Sequence, residues 1–180
     1  RPALRSALTR PLTDAEMEAV RDSADRTLVD TQGPAVIALA EAGGKTGEIA
    51  AVVAQDVDLD DGTVVLGGGR TQRTNTLTPW GTASLRRHLE ARPLTPDMPV
   101  VVGVTTVGYS ATASVSQTIR DVLRIAGLGF DRRVRPESIR AWSGRSLYDQ
   151  TGDLIACARW LGLESLDTTA DLIGLGWREG

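Results

Sequence analysis

Few side chains in this 180-residue sequence are of types that commonly act in catalysis or metal binding. There is one histidine, His88, one cysteine, Cys157, and two tyrosines, Tyr109 and Tyr148. A single histidine cannot form a histidine metal cluster and leaves little for a nucleophile–histidine pair. Since His88 lies in the strongly charged stretch LRRHLEAR, we expect a solvent-exposed side chain. The sequence predicts neither a metal nor another cofactor.

A second candidate is the stretch AVIALAEAGGKTGEIAAVV. Its Gly44-Lys45-Thr46 matches the second half of the phosphate-binding loop G-x-x-x-x-G-K-[ST]. The first glycine of that pattern falls at Leu39, where a side chain keeps the backbone amides from wrapping a phosphate. The residues before the loop also favour a helix, whereas the motif requires a strand. These departures argue against nucleotide hydrolysis.

Charge is distributed unevenly along the chain. The formal net charge of −3 argues mildly against a dedicated nucleic-acid binder. Residues 120–145 nevertheless hold seven arginines against three acids, a net charge of +4 that leaves −7 on the remainder. This segment either forms a phosphate-binding face or balances acidic neighbours, and both interpretations stay open. Its arginines are Arg120, Arg124, Arg132, Arg133, Arg135, Arg140 and Arg145.

Hydrophobic periodicity predicts the elements that must position these side chains. LTDAEMEAVRDSADRTL has Thr13 and Glu16 in capping-box spacing, followed by apolar residues on one helical face. GPAVIALAEAGG and KTGEIAAVVAQ predict two more helices. DVDLDDGTVVLGGG alternates around an Asp61-Gly62 turn, which predicts a hairpin, and TNTLTP adds a third strand.

The second half of the sequence is predominantly helical. We predict a short helix near 81–91 and further helices from about residue 113, with Cys157 as a small core residue. The fold class is therefore α+β, mainly α-helical, with a small three-stranded antiparallel sheet. At 41% hydrophobic content, residues 1–180 are expected to form a single domain.

Targeting signals are missing from the printed sequence. No apolar run approaches the roughly 20 residues that span a bilayer, and no charged-then-apolar leader opens the chain. With its single cysteine, the sequence suits a reducing cytoplasm, and we expect a cytoplasmic protein without a membrane partner. Because residue 1 is arginine and not methionine, we also expect a missing N-terminal neighbour.

Five segments, taken in order, resemble the catalytic domain of tyrosine recombinases, the phage-integrase family. They are LTDAEMEAV, GGKTGEIAAVVAQDVDLDDGTVVL, RTQRTNTLTPWGTASLRRHL, RPESIRAWSGRSLYDQTGDL and ARWLGLESLDTTADLI. The resemblance covers about residues 8–175. It implies the catalytic-domain fold, a role in DNA recombination or on a mobile element, and an N-terminal DNA-binding domain outside this sequence.

The resemblance also implies a mechanism. In that family, one arginine near the start of the third helix and another on a later helix hold oxygens of a DNA phosphate. A hairpin lysine donates a proton, two histidine or tryptophan positions assist, and a tyrosine attacks phosphorus to form a covalent phosphotyrosine.

This sequence departs from that set at most positions. Lys45 stands at the first arginine and supplies a point charge in place of a bidentate fork, while Arg70, near the hairpin lysine, is a poor proton donor. The H-x-L-R box begins with Glu137 and keeps only Arg140. Glu137 either repels a phosphate or neutralises Arg140 one helical turn away.

The remaining positions have lost their polar groups. The L-G-H corner ends in Leu163, and the T-T-x-x-Y segment ends in Leu172. Tyr109, expected to precede a helix, and Tyr148, expected within the helix after Arg140, lie elsewhere. The resemblance therefore implies a catalytically inactive domain, and the alternative is an active recombinase whose tyrosine is relocated or supplied by another subunit.

Two kinds of partner remain open for an inactive domain. Duplex DNA would bind Lys45, Arg70, Arg73 and the seven arginines of residues 120–145. A protein partner or a second copy would bind the C-terminal segment around Leu172, Ile173, Leu175 and Trp177. For that segment, burial in the domain's own core is the preferred interpretation.

Overall fold

The computed structural model describes residues 9–26, 29–101 and 109–176. Within these ranges the chain forms eight α-helices, and this confirms the mainly helical α+β class. They are α1 (Asp14–Ala24), α2 (Gln32–Glu41), α3 (Thr46–Ala51), α4 (Pro79–Ala91), α5 (Tyr109–Ile125), α6 (Glu137–Thr151), α7 (Leu154–Leu161) and α8 (Leu166–Leu172). None of the described helices has the length and apolar character needed to span a bilayer.

The predicted three-stranded sheet is confirmed. It comprises β1 (Val57–Asp58), β2 (Thr63–Leu66) and β3 (Arg73–Thr76), paired antiparallel in that order. Val64 of β2 lies opposite Val57 on one side and Asn75 on the other. Register places Val64, Leu66 and Asn75 on the buried face, so β3 directs a polar side chain inward.

Helix α2 is the centre of the packing. Its residues 33–41 are buried, and it contacts α1, α3, α4, α5 and α6. The predicted capping box of α1 is present, since the Thr13 hydroxyl accepts from the Glu16 amide at 3.1 Å and the Glu16 carboxylate accepts from the Thr13 amide at 2.9 Å. Met17 and Val20 of α1 are fully buried, as the helical pattern indicates.

The prediction of a solvent-exposed His88 is wrong. Its side chain is fully buried, with Nε2 2.6 Å from the Val100 carbonyl oxygen and Nδ1 2.8 Å from the Thr31 hydroxyl. Burial lowers the pKa of His88 below its usual value, although the Val100 carbonyl acts in the opposite direction. The helical spacing of His88 with Ser84 and Leu85, which are also buried, indicates an inward-facing position, although the neighbouring residues in the sequence are charged.

A buried carboxylate, which sequence analysis did not single out, joins α1, α2 and α4. Glu41 is fully buried at the end of α2, and it accepts from Arg21 Nε at 2.9 Å and from the Thr78 hydroxyl. The Arg21 guanidinium lies over two indole rings, 5.9 Å from the centroid of Trp80 and 5.4 Å from that of Trp142. Burial raises the pKa of Glu41, whereas its bonds to Thr78 and Arg21 oppose that rise.

Candidate functional site

Arg73 on β3 lies at the centre of the candidate site, but its donors are occupied. Nη1 and Nη2 reach the two Glu48 carboxylate oxygens at 2.5 and 3.0 Å. Nε donates to the Trp160 carbonyl at 2.8 Å, Nη2 to the Gly43 carbonyl at 3.0 Å and Nη1 to the Thr71 carbonyl at 3.2 Å. These bonds use all five donors of a guanidinium. The described structure thus leaves Arg73 no unbonded N–H for a phosphate, and DNA binding by Arg73 stays a prediction.

Arg140 on α6 is also turned into the protein. Arg140 is only 3% exposed. Its Nη1 donates to the Leu161 carbonyl at 2.9 Å and, more weakly, to the Gly43 carbonyl at 3.4 Å. Burial lowers the pKa of Arg140, while the charges of Glu137 and Glu48 act in the opposite direction. Its guanidinium lies inside the domain, and DNA binding by Arg140 stays a prediction.

Arg73, Arg140 and Asn75 together bind the C-terminal ends of two helices, and we call this arrangement the carbonyl clamp. Asn75 Nδ2 donates to the carbonyls of Ala42 and Trp160, each at 2.8 Å. The clamp thus joins carbonyls at the end of α2 to carbonyls at the end of α7. The last carbonyls of a helix have no intrahelical partner and carry partial negative charge, so cationic donors are favoured there. The two arginines satisfy backbone groups of the fold.

Burial tends to raise the pKa of Glu48, but its bonds to Arg73 and to the Lys45 amide outweigh that effect, and the pKa is lowered. The Lys45 amide donates to Glu48 Oε1 at 3.0 Å, so residue 45 caps α3 through its backbone. The Lys45 side chain is half-buried beside the hairpin. It is the candidate cation nearest to the start of α3.

Two grooves flank the end of the β2–β3 hairpin, and Thr71 lines both. One has a volume of about 450 Å³ and includes Lys45, and the other, of about 240 Å³, includes exposed Arg70. Among the described residues, no tyrosine, serine, cysteine or histidine lines either groove. Among the described lining residues, the grooves offer cations for an anion, and Thr71 supplies the only hydroxyl that they share.

The two leucines that the resemblance assigns to catalytic positions pack within this domain. Leu163 and Leu172 are half-buried against a small cluster formed by Cys157, Leu161 and Ile173. Cys157 and Ile173 are fully buried, which confirms the predicted core positions of both residues. Leu175 also packs there. Trp177 lies outside the described residues.

The two tyrosines do not take the position of Leu172. Tyr148 lies within α6, as expected, and is half-buried against the same small cluster. Tyr109 is the first residue of α5, so the prediction that it precedes the helix is wrong.

Comparisons of the sequence find no matching family model and no matching curated protein. Solved structures do match. XerA recombinase has a TM-score of 0.78 at 22% sequence identity, with 97% of this chain and 63% of that chain covered. The chain has the tyrosine-recombinase catalytic-domain fold. XerH recombinase bound to its difH substrate gives 0.75 at 18% identity, covering 99% and 53%, and a lambda integrase dimer gives 0.66 at 17%, covering 95% and 62%.

This chain therefore spans less than two thirds of the length of those proteins. On the recombinase fold it presents five exposed arginines at the α5–α6 end, which are Arg120, Arg124, Arg132, Arg133 and Arg135. Arg145 is half-buried and is paired with Asp149 at 2.9 Å. In the described part of the chain, no group of three or more histidine, cysteine, aspartate or glutamate residues is placed to hold a metal ion.

Gly162, in the corner of the recombinase fold, adjoins the carbonyl clamp. It has a φ of +66°, and a Cβ atom there would lie 2.6 Å from Arg73 Nη1. Gly152 ends α6 with a φ of +64° but has nothing within 4 Å of the corresponding position. The two glycines thus share a backbone conformation and differ in what surrounds them.

We expect Gly162→Ala to be more destabilising than Gly152→Ala. The left-handed backbone alone costs alanine about 1–2 kcal/mol, which applies at both positions. Displacement of Arg73 adds about 1–3 kcal/mol at Gly162, the usual range for overpacking. Urea unfolding followed by circular dichroism measures the difference, and equal losses would contradict the tight contact with Arg73.

Proposed function

We propose that this chain is a catalytically inactive domain with the tyrosine-recombinase fold and that it binds duplex DNA. The observation that carries the first part is the carbonyl clamp, in which Arg140 donates to the Leu161 and Gly43 carbonyls. The resemblance assigns Arg140 to the phosphate of the cleaved strand. With Nη1 bonded to helix-end carbonyls, that guanidinium has fewer donors left to stabilise charge on a phosphate.

Loss of the nucleophile supports the same proposal. Leu172 has no group that can attack phosphorus, and it packs against the domain's own cluster. Lys45 offers one cation at the other arginine position, and Gly67, Gly68 and Gly69 leave the hairpin without a lysine. Cleavage needs charge stabilisation, a proton donor and a nucleophile together. A tyrosine from another subunit would replace only the last of these.

DNA binding is supported by the exposed cations. The five arginines at the α5–α6 end and Arg70 at the hairpin are exposed on a chain that is acidic elsewhere. XerH was solved with difH and lambda integrase with a COC′ core site, so duplex DNA is the first partner to test. Binding through arginine–phosphate contacts releases counterions and must weaken as salt rises.

We expect the protein to bind duplex DNA without joining to it. In fluorescence anisotropy, about five phosphate contacts would lower affinity a few hundredfold between 50 and 200 mM salt, at a log–log slope near −0.9 per contact. Arg124→Ala/Arg132→Ala should make that slope about two units less steep, whereas Arg86→Ala, an exposed arginine on α4, should leave it unchanged.

Complexes formed on nicked duplex DNA and run on a denaturing gel test the proposed lack of catalytic activity. We expect the protein to separate fully from the DNA. A covalent adduct mapped to Tyr109 or Tyr148 would instead support the alternative of an active recombinase with a relocated nucleophile. A flat anisotropy titration at low salt would overturn DNA binding and favour a protein partner.

A further inference from the structure

The turn after α5 displays an aromatic ring to solvent. Phe130 is 98% exposed, and no other aromatic side chain whose burial the structure describes is exposed. Ile125, at the end of α5, is 42% exposed and adds apolar surface near the start of the turn. Single exposed apolar residues are common on protein surfaces, so the case for function depends on how the turn is built.

The residue beside Phe130 is anchored to the domain. One Asp131 carboxylate oxygen accepts from Arg10 Nε at 2.9 Å, and the other accepts from the Arg133 amide at 2.8 Å. The Asp131 carbonyl accepts from the Val134 amide at 3.0 Å, and the Arg10 amide donates to the Arg133 carbonyl at 2.9 Å. These bonds fix the backbone of residues 131–134 directly after Phe130, which lowers the ordering entropy that binding through this turn costs.

Arg10 is itself fixed on the other side. Its Nη1 and Nη2 donate to the two carboxylate oxygens of Glu16, each at 2.8 Å. The chain of contacts therefore runs from the capping box of α1 through Arg10 to the turn, and Asp131 is compensated by a cation within the domain.

Two exposed arginines belong to the same part of the chain as the exposed ring. Gly129 packs against Arg124, since a Cβ atom at residue 129 would lie 3.8 Å from Arg124 Cγ. Arg124 and Arg132 are both exposed, and Arg132 follows Phe130 by two residues. An apolar tip with exposed arginines close by in the chain suits a DNA groove, where base edges lie between two phosphate strands.

We propose that Phe130 is an apolar wedge that enters a groove of duplex DNA and opens a base step, with Arg124 and Arg132 on the flanking phosphates. This inference rests on the proposed DNA binding and adds a mode of contact to it. Proteins of several families kink duplex DNA by inserting a phenylalanine between base pairs. Binding of single strands commonly uses a series of stacked aromatic rings, whereas this surface shows one.

The test compares wild type with Phe130→Ala and Phe130→Leu on a duplex of about 25 base pairs with a fluorophore at each end. The duplex contains TA steps, because pyrimidine–purine steps unstack most easily. We expect energy transfer to report bending with wild type, partial bending with Phe130→Leu and almost none with Phe130→Ala. Affinity should fall about tenfold in Phe130→Ala, the effect of losing one stacked base contact.

The salt dependence separates this inference from the proposed function. Phe130→Ala should keep the wild-type slope, since the ring holds no phosphate, and Val29→Ala, another exposed apolar side chain, should change neither affinity nor bending. Equal bending by wild type and Phe130→Ala, or binding without any bending, overturns the wedge and leaves DNA binding intact. Absence of wild-type binding overturns both.

The same variants also test two other kinds of partner, a single DNA strand and a lipid surface. A larger effect of Phe130→Ala on a single strand of the same sequence overturns the wedge in favour of a stacking contact. Phe130-dependent binding to phosphatidylglycerol vesicles, without such dependence on DNA, overturns it in favour of a lipid surface.

Discussion

Arg73→Ala is expected to lower the free energy of unfolding by about 3–5 kcal/mol, the range for removing one partner of a buried ion pair. The Arg73 and Glu48 side chains are only 10% and 13% exposed, so Glu48 would lose its cation in a site with little water. The carbonyls of Gly43 and Trp160 would lose donors at the same time. Urea unfolding at pH 7 provides the measurement.

Arg70→Ala is the matched control, because Arg70 is an exposed arginine three residues earlier on the same hairpin. Exposed positions of this kind change stability by about 0.5 kcal/mol or less. If Arg73→Ala were as mild as Arg70→Ala while DNA affinity fell, then Arg73 would be a DNA contact and not part of the carbonyl clamp.

Arg21→Ala is the second large effect, and it should depend on pH. At pH 7 the variant leaves the fully buried Glu41 without its cation, which we expect to cost about 3–5 kcal/mol. Part of the loss comes from the Trp80 and Trp142 rings that the guanidinium covers. Urea unfolding of wild type and variant at several pH values between 7 and 4 measures the cost.

The sign follows from the raised pKa of Glu41. A carboxyl whose pKa is higher in the folded than in the unfolded state favours folding most below the ordinary glutamate pKa, and this contribution is lost as pH rises through the folded pKa. Without Arg21 the pKa of Glu41 rises further, so the cost of Arg21→Ala should shrink on acidification. The double variant Arg21→Ala/Glu41→Gln should recover part of the stability at pH 7, since no buried charge remains. A cost that is independent of pH, with no recovery in the double variant, would assign the effect to ring packing alone.

The features that sequence analysis predicted correctly are local ones. The capping box of α1 needs only Thr13 and Glu16, and the hairpin needs only alternation around Asp61-Gly62. Order and spacing of the five segments were also enough to indicate the fold.

Sequence analysis did not find side-chain partners that are distant in sequence. Arg140 bonds a carbonyl 97 residues away, and Arg73 bonds one 87 residues away. Every residue carries a backbone carbonyl, so residue types cannot show which carbonyl will accept a hydrogen bond. The positive charge of these arginines therefore suggested a phosphate. Helical spacing of Arg140 with buried Ser143 and Gly144 was the available indication that it points inward.

The Gly43 carbonyl couples the local unfolding of several segments that meet at the carbonyl clamp. Its single carbonyl oxygen accepts from both arginines, so α2, β3, α6 and α7 depend on one another although long stretches of chain separate them. If one of these segments frays, acceptors in the others lose their donors as well. Such segments open together as one cooperative unit, and their slowest amide protons would then exchange with solvent at a common rate.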